Sequence, residues 1–102
     1  MSRTERMADH DVEERLKQAP AWQRKDEKWL ARKYRFKQYL DGIEFVRQVA
    51  LAAETMEHHP MIAIDYKLVT VSVTTWSAGG ITELDFTLME QCDQLYDSIA
   101  SS

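Results

Sequence analysis

Cysteine, proline and glycine are scarce in this chain: of 102 residues, one is cysteine, two are proline and three are glycine. The lone Cys92 excludes an internal disulfide, and with it a stapled scaffold built for an oxidising space outside the cell. So few glycines and prolines exclude collagen-like, linker-like and turn-dense small β folds. No apolar run approaches the ~18 residues that a membrane helix needs. The first 18 residues alternate charges around no apolar centre, which is not the plan of a signal peptide. The expectation is a single domain over residues 1–102, in the cytoplasm and with no membrane partner. Apolar residues at 44% and charged residues at 29% are ordinary for a globular domain.

Charge is unevenly placed. Residues 1–37 carry 11 Lys/Arg against 7 Asp/Glu, whereas residues 38–102 carry 2 against 10. Seven basic residues fall between Arg24 and Lys37. Such a cluster suits an anionic ligand or nucleic acid. It is also the wet face of a hairpin, the commoner fate of a charge run. No direct nucleic-acid binding is expected.

Periodicity divides the chain into seven elements. Residues 3–18 read as a helix with a thin stripe of Met7, Val12 and Leu16, ended by Pro20. Trp22–Arg24 and Trp29–Phe36 read as a hairpin, with Leu30, Arg32, Tyr34 and Phe36 on one face and Lys33 and Arg35 on the other. Residues 37–57 carry the strongest helix signal. Leu40, Ile43, Val46, Ala50, Ala53 and Met56 recur at steps of 3 and 4, and Phe45, Val49 and Ala52 widen the stripe. Gly42 counts against that helix by about 1 kcal/mol. Met61–Tyr66 and Leu68–Thr75 read as a second hairpin, the latter with Val69, Val71 and Val73 alternating against Thr70, Ser72 and Thr74. After a Ser77–Gly80 loop, Thr82-Glu83-Leu84-Asp85 has the pattern of a capping box, with Ile81 and Phe86 spaced as a hydrophobic staple. The predicted fold is α+β, ordered α-β-β-α-β-β-α: a four-stranded antiparallel sheet with three helices on one face.

Titratable groups concentrate in Glu54-Thr55-Met56-Glu57-His58-His59-Pro60, where a helix runs into a strand. Adjacent residues on a helix diverge by about 100°, so His58 and His59 seldom share one metal, and no HExxH-like spacing supports one. We expect no metal. A helix C-cap would explain one histidine. Acid/base chemistry would explain two, because imidazole both gives and takes a proton near neutral pH.

The pattern Glu54-x-x-x-His58-His59-Pro60, then Tyr66, Trp76 and Asp85, resembles the signature of the pterin-4a-carbinolamine dehydratases, with intervals of three, five, nine and eight residues. The stretch Thr74–Phe86 resembles the family's loop and last helix, Trp29, Phe36, Phe45 and Val49-Ala50 sit where the family shows similar residues, and the likeness covers roughly residues 12–98. The resemblance implies a hydro-lyase, a 4a-hydroxytetrahydrobiopterin dehydratase that eliminates water from the pterin 4a-carbinolamine to give quinonoid dihydropterin in tetrahydrobiopterin recycling. It implies His59 as the principal acid/base, His58 as its partner beside the departing hydroxyl, and Asp85 at the acidic position. It also implies substrate contacts from Glu57, His58, His59, Thr74, Thr75, Trp76 and Ser77. Asp85 reads equally as a capping carboxylate, and the two roles can coexist. Glu54, a turn before His58, either orients that ring or faces solvent.

Trp76 stands where many members have a third histidine, so a three-histidine mechanism is not expected here. Indole stacks on a flat pterin but does not titrate. The basic stretch leaves room for a phosphorylated pterin. The resemblance also implies two alternatives: a non-catalytic dimerisation cofactor of a transcription factor, or a role in molybdopterin metabolism. Exposed sheet edges, and a last helix apolar on more than one side through Leu88, Cys92 and Leu95, predict a homodimer at minimum and a homotetramer as a dimer of dimers.

Overall fold

The computed structural model describes residues 4–101. The strands are β1 (Gln23–Arg24), β2 (Leu30–Arg35), β3 (Met61–Asp65) and β4 (Leu68–Val73), all antiparallel, in the spatial order β1-β2-β4-β3. Three helices, α1 (Asp9–Leu16), α2 (Tyr39–Met56) and α3 (Glu83–Ala100), complete the expected α+β order. No helix among the described residues is long and apolar enough to cross a membrane.

Strand alternation sets the core. Leu30 and Tyr34 on β2 and Val69, Val71 and Val73 on β4 are all fully buried, pointing toward the helices. Helix α2 meets them with Gly42, Phe45, Val49 and Ala53. That stripe follows the expected period but is rotated: Leu40 is 72% exposed and Ala50 also faces solvent. Gly42 explains the rotation. A Cβ there would lie 3.3 Å from the Phe36 ring and 3.5 Å from Val69, so the bare backbone lets α2 sit close to the sheet. A residue that counts against a helix in isolation is what docks it.

Helix α3 starts as expected. Thr82 Oγ1 accepts from the Leu84 N–H and the Asp85 carboxylate accepts from the Thr82 N–H, a reciprocal capping box. Leu88 and Cys92 on α3 are fully buried within their own chain, where α2 packs alongside. The expectation that they need a partner chain is therefore corrected.

Helix α1 is shorter than residues 3–18. Residue 3 lies outside the described residues, and the helix begins at Asp9 because the Met7 N–H bonds the Ile81 carbonyl at 2.8 Å instead of joining a helical ladder. Asp9 and Asp11 then sit favourably at its positive end.

Asp93 is a polar anchor that pattern reading did not single out. Its carboxylate accepts from the Tyr34 hydroxyl at 2.6 Å, Arg32 Nη1 at 2.7 Å and the Trp22 indole at 3.2 Å. It ties α3 to the first hairpin. Arg32, alternating onto the inward face, is stabilised there by this bond and by the Tyr34 and Tyr96 rings 4.5 and 5.3 Å away.

Candidate functional site

The site is built where α2 ends. Glu57 takes left-handed backbone, φ 53° and ψ 40°, a region glycine enters far more readily. The Glu57 N–H bonds the Glu54 carbonyl at 3.2 Å and the His58 N–H bonds that of Ala53 at 3.0 Å. These are the two bonds of a Schellman ending. The reversal sends the two histidines in opposite directions.

His58 turns inward. Its Nε2 lies 2.7 Å from Asp85 Oδ1, and the two side chains are 11% and 0% exposed. The other Asp85 oxygen accepts from the Thr75 hydroxyl at 2.7 Å and the Thr82 N–H at 2.9 Å. Thr75 Oγ1 also lies 2.8 Å from Thr82 Oγ1. Asp85 thus caps α3 and holds His58 at once. Asp85 therefore engages His58 through Nε2, and Nδ1 is the ring's other nitrogen. Asp85 has no exposed surface of its own.

His59 turns outward, and its Nε2 bonds Glu54 on the last turn of α2. Glu54 was expected either to orient His58 or to face solvent. It instead holds His59, because the left-handed residue swings His58 under the helix end while His59 stays beside it. The His59–Glu54 pair is exposed at 60% and 74%, so water and salt screen it, unlike His58–Asp85.

The sheet brings the other expected residues alongside. Met61 pairs with Ser72, and Leu30 also stands opposite β4, at Val73. Thr74 follows Val73 directly, at the end of the sheet where β2 and β3 begin. The Thr74 hydroxyl donates to the Lys28 carbonyl. Thr75 reaches inward to Asp85. Trp76 opens a 3-10 turn (Trp76–Ala78) and stands 76% exposed. Its ring meets Trp29 edge to face at 5.4 Å between centroids. Ser77, on the same turn, and Glu57 are exposed.

The histidines precede β3 and the threonines and exposed indole follow β4, so all adjoin the same end of that antiparallel pair. Trp29 was noted from sequence only as a family-like residue, and its contact with Trp76 was not foreseen. The signal was its place immediately before the first inward residue of β2. The largest displaced titrations lie elsewhere, in the core: burial, then the neighbouring Asp93 charge, pushes the Cys92 thiol up to about 12. Burial, then the hydrogen bond to Asp93, raises the Tyr34 hydroxyl far above its ordinary range.

Comparison with known proteins points the same way. Residues 5–95 match the family described as pterin 4 alpha carbinolamine dehydratase. A protein of Picosynechococcus sp., provisionally named for that activity, is 41% identical over 90 residues, 88% of this chain and 97% of the relative. One from Sulfolobus acidocaldarius, named in the same way, is 30% identical over 90 residues, 88% of this chain and 98% of its own. Among solved structures, a transcriptional coactivator/pterin dehydratase from Brucella melitensis superposes with a TM-score of 0.85 at 29% identity, covering 89% of this chain and 98% of that one. A pterin dehydratase-like protein described as a RuBisCO assembly factor of the alpha-carboxysome shares the fold, with a TM-score of 0.64 at 19% identity over 74% of this chain and 89% of that one. On the family match and the extent of these likenesses, the chain belongs to the pterin 4 alpha carbinolamine dehydratase family.

Proposed function

We propose that this protein is a hydro-lyase that eliminates water from a 4a-hydroxytetrahydropterin. The C4a–OH bond breaks, an acid supplies the proton that lets hydroxide leave as water, and a base takes a proton from a ring nitrogen as the quinonoid double bond forms. His59 is the principal acid/base. His58, held through Nε2 by Asp85, presents Nδ1 as the second proton site. Trp76 gives the flat ring an aromatic wall, and Glu57, Thr74, Thr75 and Ser77 border it.

The observation that carries this reading is the pair of neighbouring imidazoles, each bonded through Nε2 to its own carboxylate, one enclosed and one in water. Environments that different let two like groups take opposite roles. Family membership supports the pterin as substrate. The chemistry needs no cofactor, and a free buried thiol suits a reducing cytoplasm.

We further propose a homodimer through β3, whose outer edge pairs with no strand among the described residues. Met61 and Ile64 on it are 61% and 45% exposed, and a two-fold axis would join both edges into one sheet. The surface for a tetramer moves from α3 to α2, where Leu40 and Leu51 are exposed. Stopped-flow dehydration of a synthetic 4a-hydroxytetrahydropterin tests the activity: catalytic amounts of protein accelerate water loss, and a rate equal to the buffer's overturns the reading.

A further inference from the structure

The strand register lays out the sheet face turned away from the helices. The Lys25 N–H bonds the Trp29 carbonyl at 3.0 Å, so Lys25 stands beside Trp29. One step along, Gln23 pairs with Ala31 and Ala31 with Ser72. Two residues further, Lys33 pairs with Thr70 and Thr70 with Ala63. Alternation puts all of these side chains on the open face. Small residues there leave a shallow cavity of about 180 Å³ lined by Gln23, Lys25, Ala31, Lys33 and Thr70 among others. Ala31, only 3% exposed, lies at its floor.

Lys25 and Lys33 both line this hollow, and neither has an ion-pair partner among the described residues. The other cations of the basic stretch are placed differently: Arg24 is bonded to Asp9 and Glu13, and Arg32 to Asp93. The nearby carboxylates are Asp26 and Glu27 in the turn after Lys25, and Asp26 Oδ1 is already taken by the Lys28 N–H at 2.7 Å. Asp65 lies at the far corner of the face, opposite Leu68. The hollow is therefore polar, hydroxyl-bearing and cationic, with hydrogen-bond donors on several sides, which is the chemistry of a phosphate site. Trp29, beside Lys25, meets Trp76 edge to face. Four residue steps along the strand lead from Trp29 to Lys33, about 13 Å at roughly 3.3 Å per step.

We propose that this hollow is a phosphate-monoester subsite, and that the pterin taken by this protein carries a phosphorylated side chain. The ring lies against Trp76 near the histidines, and the side chain passes Trp29 onto the open face, where Lys25 and Lys33 hold the phosphate with Gln23 and Thr70. The proposal rests on the dehydratase reading for the ring and on the open face alone for the phosphate.

The test measures binding of two reduced pterins that differ only by a phosphate on the side chain. Wild type binds the phosphorylated one at least tenfold more tightly. That ratio falls to near one in Lys25→Gln/Lys33→Gln and is retained in Lys17→Gln, which removes a like charge just past the end of α1. A ratio near one in wild type, or a ratio that survives the double substitution, overturns the proposal. So does an equal fall in Lys17→Gln. A titration with inorganic phosphate, followed by amide NMR shifts, separates this inference from the reading beneath it. Shifts confined to Gln23, Ala31, Lys33 and Thr70 support the subsite even if no pterin binds. Absence of shifts there overturns it even if dehydration is fast.

Discussion

At the scale of single residues, the buried polar atoms of the candidate site are held by shared hydrogen bonds. Asp85 has two oxygens and three partners: His58, the Thr75 hydroxyl and the N-cap of α3. It is therefore fixed in place before any substrate arrives. The capping reading of Asp85 holds, and the same carboxylate also bonds His58. The pattern did not show that Glu54 belongs to His59 rather than His58, because that choice depends on a single left-handed residue. Trp76 carries the residue-scale prediction. An indole that is 76% exposed and touched edge-on by Trp29 adds little to the core. Trp76→Ala should weaken pterin binding by ~1–3 kcal/mol, the scale of an aromatic stacking contact, with little change in melting temperature. Trp76→His should retain turnover. Unchanged affinity in Trp76→Ala, read by calorimetry, would remove Trp76 from the site.

At the scale of elements, α2 shows how local conformation builds function. Its C-terminal reversal rests on Glu57 in the left-handed region, which costs a non-glycine residue roughly 1–2 kcal/mol. Glu57→Gly should therefore raise stability by about 1 kcal/mol, seen as a higher urea midpoint, and a lower midpoint would show that the side chain contributes more than the strain. Element order, strand alternation in β4 and the start of α3 were legible because each has a local cause: β-branched alternation at Val69, Val71 and Val73, or a capping pattern at Thr82 and Asp85. The buried face of α2 was offset because Gly42 contributes close approach rather than hydrophobicity, and no apolar count registers that. Asp93 was missed for a related reason. Its partners, Trp22, Arg32 and Tyr34, come from an opposite part of the chain and meet it only after folding.

At the scale of the whole molecule, the sheet has one edge formed by the two-residue β1 and another by the five-residue β3, exposed along most of its length. The first is too short to recruit a partner, and the second is the one to be covered. Light scattering should report at least twice the 11.9 kDa chain mass. Met61→Glu/Ile64→Lys should yield a folded monomer, since both side chains are already partly in water. A wild-type monomer would contradict the interface, and a dimer that persists in the double variant would move it away from β3. The hairpins that leave the sheet edges open were legible in the sequence. The burial of Leu88 and Cys92 was not, because it depends on how α2 and α3 pack.

The central claim is that two adjacent imidazoles, separated in environment by one left-handed residue, carry out the proton transfers of dehydration. It is tested most directly by stopped-flow turnover of synthetic 4a-hydroxytetrahydropterin by wild type, His59→Ala and His58→Ala, each checked for native circular dichroism. Loss of His59 should lower kcat by about 10²-fold or more, the usual range for a general acid/base. Loss of His58 should lower kcat less and raise KM more. Near wild-type turnover in a folded His59→Ala variant would contradict the account.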